Sequence, residues 1–270
     1  MSYEPKSKDV MALRNETGLP MMECKKALIE ANGDIEAAKD ILRKKLKGKM
    51  DTRTDRAAGE GCIAIAVDGT SAAIAELRAE TDFTAKNDQF VAMAQKVAQE
   101  ALKAPAGNVS ASPAITAAVD AVRISTSENV SMARAKKLSG GAGTKFGQYI
   151  HHDKKQGALL QVEGDVSEDA MKTICQHIVA NPVPPQGVTP DEIPAEVAEK
   201  ERKFAIEQAM ESGKPREIAE KMVEGKMRKF FEEVALLEQP LIMDQTKKVK
   251  ELLPKGATIK AFVGWKVGGA

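Results

Sequence analysis

The chain is short of rings, short of thiols and without a surplus of either charge. It carries one tryptophan, two tyrosines and seven phenylalanines in 270 residues, so the placement of each aromatic is informative. Its three cysteines, Cys24, Cys62 and Cys175, are widely spaced and form no Cys-x-x-Cys pair. That argues against a disulfide framework or a zinc site and for a reducing compartment. Forty basic residues face 39 acidic ones, a net charge of +1. Such a chain has no global field to hold it on nucleic acid or an anionic membrane. No apolar run approaches the roughly 20 residues of a membrane span. The opening Met-Ser-Tyr-Glu-Pro-Lys is polar, which does not fit a secretory signal. A cytoplasmic protein is expected, with no membrane partner and no direct contact with nucleic acid.

Catalytic chemistry is equally sparse. Gly140-Gly141-Ala142-Gly143-Thr144-Lys145 invites a phosphate-loop reading, but Thr precedes Lys and no Gly stands directly before it. A flexible loop accounts for the segment. His151 and His152 adjoin Asp153, yet neighbours on a strand point to opposite faces, so the two rings are expected to diverge. Cys24 and Cys175 lie on apolar helix faces and read as core. No nucleophile, paired-carboxylate, cofactor or metal constellation is expected.

What is there is organised in blocks. Val10 and Leu13 start a short helix that Gly18 and Pro20 stop. Met21, Cys24, Ala27, Leu28 and Ala31 share a helical face, Asn32-Gly33 ends it, and Asp34 caps a third helix with Ile35, Ala38, Ile41 and Leu42 inward. Seven Lys/Arg against two Asp between Arg43 and Arg56 read as a solvated tether, with contact to an acidic partner as the lesser reading. Ile63, Ile65 and Val67 alternate with alanines up to Asp68-Gly69, a two-residue turn that would pair Val67 with Thr70, Ile65 with Ala72 and Ile63 with Ile74. A helix with Phe90, Met93, Val97, Ala101 and Leu102 on one face comes later, and residues 103–114 are loop-like. A second hairpin, Tyr149 to His151 with Ala158 to Glu163, precedes a helix capped by Ser167 with Met171, Ile174, Cys175 and Ile178 inward. Five prolines between 182 and 194 forbid regular structure there. Residues 195–237 are charged and helical, broken at Ser212-Gly213-Lys214-Pro215. Val197, Phe204 and Ala209 on one arm and Ile218, Met222 and Gly225 on the other suggest the seam of an antiparallel helical hairpin. Thr258 to Val267 reads as a strand returning to the second sheet.

Between hairpin and helix lies Glu80-Thr81-Asp82-Phe83-Thr84-Ala85-Lys86-Asn87. It sets a large ring in a polar turn, where neither strand nor helix periodicity asks for one. Phe83 either packs beneath its own helix or is offered to a partner.

The runs Thr17-Gly18-Leu19-Pro20-Met21-Met22-Glu23-Cys24-Lys25-Lys26-Ala27-Leu28, Glu30-Ala31-Asn32-Gly33-Asp34-Ile35, Thr81-Asp82-Phe83-Thr84-Ala85-Lys86, Ser212-Gly213-Lys214-Pro215 and Ile218 through Met227 resemble translation elongation factor Ts, in that family's order. The likeness covers most of residues 9–100 and 148–267. It implies a guanine nucleotide exchange factor that binds elongation factor Tu, both GDP-bound and nucleotide-free, and is not itself an enzyme. It also implies an α+β multidomain fold: a three-helix UBA-like module at 1–46, a basic linker at 47–60 and a core subdomain at 61–145. A second subdomain follows at 146–182 with 238–270, interrupted by a proline-rich linker and antiparallel coiled-coil hairpin at 183–237. Both subdomains are expected to carry antiparallel sheets. The resemblance marks Thr81, Asp82 and Phe83 as partner-binding, with Arg14, Met21 and Met22 touching the same nucleotide domain of the GTPase. His151 matches a position that faces its third domain. The rival readings are an RNA- or ribosome-binding adaptor, which the charge balance disfavours, and a hydrolase at His151, which lacks partners.

Overall fold

The structure is a computed structural model that describes residues 3–51, 54–211, 213 and 216–269. Of the expected helix break at Ser212-Gly213-Lys214-Pro215, only Gly213 lies among them, and Thr52 and Arg53 of the expected tether lie outside. The chain forms two compact units: Met1–Ala66 with Ala73–Lys137 and Val267–Ala270, and Val67–Ala72 with Leu138–Lys266.

The first unit opens with α1 (Ser7–Thr17), α2 (Met21–Glu30) and α3 (Ile35–Asp51). Val10, Leu13, Cys24, Ala27, Leu28, Ala38 and Leu42 form one buried cluster, as the helical spacing predicts. Asn32 turns the chain at φ 50°, and Asp34 Oδ1 accepts from the Ala37 N–H at 2.9 Å, a side-chain cap on α3. Two expectations fail. Met21 leaves the apolar face, and Leu19 fills the core at that end instead. The Arg43–Arg56 tether is helix as far as Asp51. Lys and Arg are good helix formers, and with only Gly48 to oppose them the charge run propagates the helix.

The chain then pairs β1 (Glu60–Asp68) with β2 (Ser71–Ala79) and continues through α4 (Asp82–Lys86), α5 (Asp88–Ala101), β3 (Gly107–Asn108), α6 (Pro113–Thr126) and β4 (Ser131–Ser139). The sheet order is β1-β2-β4-β3. The hairpin turn is Gly69-Thr70 rather than Asp68-Gly69. Gly69 takes φ 54°, and positive φ at the first central position of a two-residue turn favours glycine. A turn displaced by one residue shifts the pairing by two, so every side chain keeps its expected face. Cys62, Ala64, Ala66, Ala73, Ala75 and Leu77 meet Phe90, Met93, Val97, Ile115, Val119 and Val122 of α5 and α6 in one core. Ile63, Ile65 and Ile74 are buried as well. Beside Ile74, the buried Glu76 accepts from Arg78 and the Gly268 N–H, each at 2.9 Å, and from Arg134 Nε at 2.7 Å. That carboxylate is buried with its charge matched, as burial demands.

The second unit contains β5 (Thr144–Ile150), β6 (Gln156–Glu163), α7 (Glu168–Ala180), α8 (Ala195–Glu211), α9 (Arg216–Val234), β7 (Pro240–Leu241), β8 (Asp244–Lys248) and β9 (Thr258–Lys266). The antiparallel sheet runs β5-β6-β9. β5 begins at Thr144, so the expected loop ends at Gly143. A register shift between Gln161 and Val162 explains the imperfect alternation of β9. α7 buries Met171, Ile174, Cys175 and Ile178, and Ser167 caps it by accepting from the Ala170 N–H at 3.2 Å. Burial pushes the Cys175 thiol up to about 12, so it packs as an inert apolar group.

Helices α8 and α9 pack antiparallel; Ala209 lies in the seam as expected, but Ala205 and Val223 replace Phe204 and Met222, each one residue later. Ala205, Ala209, Val223 and Met227 are buried, while Phe204 and Ile218 are exposed. Small alanines on α8 let α9 approach closely, and that contact outranks the larger ring. Near the base of this pair, the buried His177 ties three segments together. Its Nδ1 accepts from the Ile242 N–H at 3.2 Å, so Nε2 carries the proton and donates to Gln239 Oε1 at 2.9 Å. The Gln239 amide donates in turn to the Val183 and Glu233 carbonyls at 3.1 and 2.6 Å.

Two measurements check these contacts. A Cβ at Gly61, where φ is 155°, would lie 1.9 Å from the Leu77 carbonyl oxygen. Gly61→Ala is therefore expected to cost about 2 kcal/mol or more, read as a lower urea midpoint. Burial holds His177 below its usual 6.5, against the opposing hydrogen bond to Gln239. The unfolded chain takes up this proton first, so the stabilisation is complete above the ordinary value and declines as pH falls towards the folded one. The wild type is expected to lose stability as pH falls below about 6.5, and His177→Gln should flatten that loss, read from urea midpoints at several pH values.

Candidate partner-binding site

The Glu80–Asn87 stretch is a single turn of helix rather than an irregular turn. Thr81 Oγ1 accepts from the Thr84 N–H at 3.2 Å and caps α4. Asn87 caps α5 in the same way, accepting from the Gln89 N–H at 2.8 Å. Two caps six residues apart allow the chain to stop one helix and start another at once. On α4, Asp82 pairs with Lys86 at 2.7 Å across one turn. Acid first and base last also suits the helix dipole.

Phe83 sits on the outer face of that turn and is 85% exposed. Thr84 and Ala85 are the α4 residues that turn inward. The alternative, a ring packed beneath its own helix, is thus ruled out. A benzyl group held in water at this level forgoes about 2 kcal/mol of burial.

The turn is fastened from a distance. The Thr81 hydroxyl donates to Glu128 Oε1 at 2.6 Å, and the Thr81 N–H donates to Glu128 Oε2 at 3.1 Å. The Asn129 N–H donates to Glu80 Oε1 at 2.7 Å. The Asn129 amide then donates to the Thr54 and Arg56 carbonyls at 3.0 and 2.7 Å. Sequence reasoning passed over Glu128 and Asn129, which follow a helix it did not foresee. The one local clue was an acidic and an amide residue directly after a helix end.

Arg14 is exposed in the last turn of α1. Met21 and Met22, at the start of α2, are 45% and 62% exposed, although one of the two was expected to face inward. Pro20 precedes them and Leu19 has already taken the core position. The three-helix cluster includes Ile124 of α6, and Glu128 follows the same helix. The end of α6 therefore serves both the helices bearing Arg14, Met21 and Met22 and the turn bearing Phe83.

His151 belongs to the second unit and is half-buried. Its Nδ1 lies 3.2 Å from Asp153 Oδ1. β5 ends at Ile150, so His151 and His152 occupy the turn and their rings sit 4.1 Å apart instead of diverging. Partial burial opposes ionisation of Asp153, but the Lys155 N–H and His151 outweigh it and hold the carboxyl below its usual range. Among the described residues, no cluster of His, Cys, Asp and Glu could hold a metal ion. Nor is any helix among them long and apolar enough to cross a membrane.

Residues 80–269 match the family model described as Elongation factor TS. Elongation factor Ts of Alkalilimnicola ehrlichii is 39% identical over 269 residues, covering 96% of this chain and 90% of that protein. Those of Thioalkalivibrio sulfidiphilus and Vibrio vulnificus are 41% and 40% identical, with the same coverage. The chain belongs to the elongation factor Ts family.

As a member of the elongation factor Ts family it is a translation elongation factor, and the family match opens at the residue before Thr81. Within this family member, exposure separates two kinds of residue in one short stretch. Phe83→Ala is expected to shift the unfolding free energy by less than about 0.5 kcal/mol, whereas Thr81→Ala removes a cap and costs about 1 kcal/mol or more. Urea titration of both variants checks the contrast.

Proposed function

We propose that this protein is a guanine nucleotide exchange factor for elongation factor Tu, and that Phe83 acts as a fixed wedge. The observation that carries the reading is a ring 85% exposed on a capped helical turn, in a chain with seven phenylalanines. A ring that gains nothing from its own fold is available to gain it in a complex.

Exchange needs no catalytic group. A factor that binds the GTPase more tightly when its nucleotide site is distorted weakens GDP binding by the same factor, because linkage is reciprocal. Phe83 supplies apolar area to a complementary slot. Asp82 supplies a carboxylate that competes for hydrogen bonds or disturbs the magnesium shell of the GTPase, once it exchanges Lys86 for the partner. In this reading Thr81 anchors the wedge, while Arg14, Met21 and Met22 give a second contact to the nucleotide domain. His151 meets another domain of the same partner. Residues 1–46 then serve as a UBA-like module, and 183–237 as a linker and coiled-coil insertion. The protein works in the cytoplasm without nucleic acid of its own.

The test follows release of a fluorescent GDP analogue from elongation factor Tu. Phe83→Ala is expected to slow stimulated release at least about tenfold, a loss of roughly 1.4 kcal/mol in transition-state stabilisation, with the fold intact. Stimulated release equal to that of the wild type would remove the wedge.

A further inference from the structure

Within the Thr81–Asn87 stretch, one cap and one exposed ion pair are slight support for so short a turn. Isolated helices of this length are unstable in water, because nucleation fixes several residues for a single hydrogen bond. The cap is what holds α4, and the cap depends on a residue 47 positions away in sequence. A threonine hydroxyl has one proton and two lone pairs and rotates to suit its surroundings. Here the proton goes to Glu128 Oε1, which leaves the lone pairs to receive the Thr84 N–H. The second carboxylate oxygen takes the Thr81 N–H. Both donors of Thr81 are therefore gripped by one side chain, in charge-assisted bonds stronger than neutral ones.

The grip is itself held. Ser127 ends α6 at φ 57°, and the Glu128 N–H lies 3.4 Å from Thr126 Oγ1. The next residue, Asn129, takes Glu80 with its N–H and the carbonyls of Thr54 and Arg56 with its amide. Residues 80 and 81 are thus fastened to residues 129 and 128, two bonded pairs in succession. α6 is anchored in turn through Ile124 in the three-helix core.

We propose that Glu128 is a positioning residue for nucleotide exchange. It touches neither the ring nor the partner's nucleotide, and acts by fixing the orientation in which α4 presents Asp82 and Phe83. This inference rests on the wedge reading of Phe83. Displacement of a binding group by about 1 Å can cost up to a hundredfold in rate, so a loosened cap registers in exchange before it registers in global stability.

The experiment is a double-mutant cycle in the same GDP-release assay, with Glu128→Ala, Phe83→Ala and the pair together. Glu128→Ala is expected to slow maximal stimulated release by about fivefold to tenfold. In the Phe83→Ala background its effect should shrink well below that loss, because the ring is gone and only Asp82 remains to be placed. Glu128→Gln keeps the size but can accept only one of the two donors, so it should fall between wild type and Glu128→Ala. Amide hydrogen exchange at Thr84 in Glu128→Gln should accelerate relative to amides of β2. Wild-type release by Glu128→Ala alongside a slow Phe83→Ala overturns the positioning role and spares the wedge. Losses that multiply in the double variant also overturn it, since a general weakening of the fold would give that pattern. A Phe83→Ala variant with wild-type release removes the wedge and the positioning role together.

Discussion

One hydroxyl holds the candidate site of the first unit together. Thr81 Oγ1 passes its proton to Glu128 and takes one from the backbone of Thr84. Without the first bond the second has no preferred direction, and without the second α4 has no start. The arrangement lets a helical turn stand with its largest side chain facing water. It also links three segments that sequence keeps apart: the end of β2, the end of α6 and the approach to β1 at Thr54 and Arg56.

The scarcity of rings shapes the rest. The first core is built largely of alanine, with Phe90 as its one buried ring. Small side chains let α5 and α6 lie close to the sheet, so many weak contacts replace a few large ones. The same preference for small residues decides the seam between α8 and α9, where Ala205 is inside and Phe204 is outside. In both places close approach of backbones wins over burial of the bigger group.

These choices govern what could be read from the sequence. Helices with a clear apolar stripe, such as α5 and α7, are legible because a single face is buried. The first hairpin is legible in its faces but not in its turn, since Asp68-Gly69 and Gly69-Thr70 satisfy the same local pattern. α6 was missed because its start, Ser112-Pro113-Ala114, continues the alanine, proline and serine pattern of the loop before it, although Ser112 caps it and Pro113 opens it. In the Arg43–Arg56 run, charge suggests a tether throughout, while helical preference extends α3 as far as Asp51. At the candidate site the oddity of Phe83 was visible from composition, and its exposure fits. Glu128 was not, because a bond across 47 residues leaves no local trace.

The three cysteines acquire a meaning from where they fall. Cys24 lies in the three-helix cluster, Cys62 in the core under the first sheet and Cys175 in the core under the second. Each thiol is buried and outside any disulfide, and each belongs to a different nucleus of packing. Sub-global openings expose such groups one region at a time. An alkylating reagent applied to the native protein therefore finds no target until a region breathes, and the cysteine it marks tells which of the three has opened.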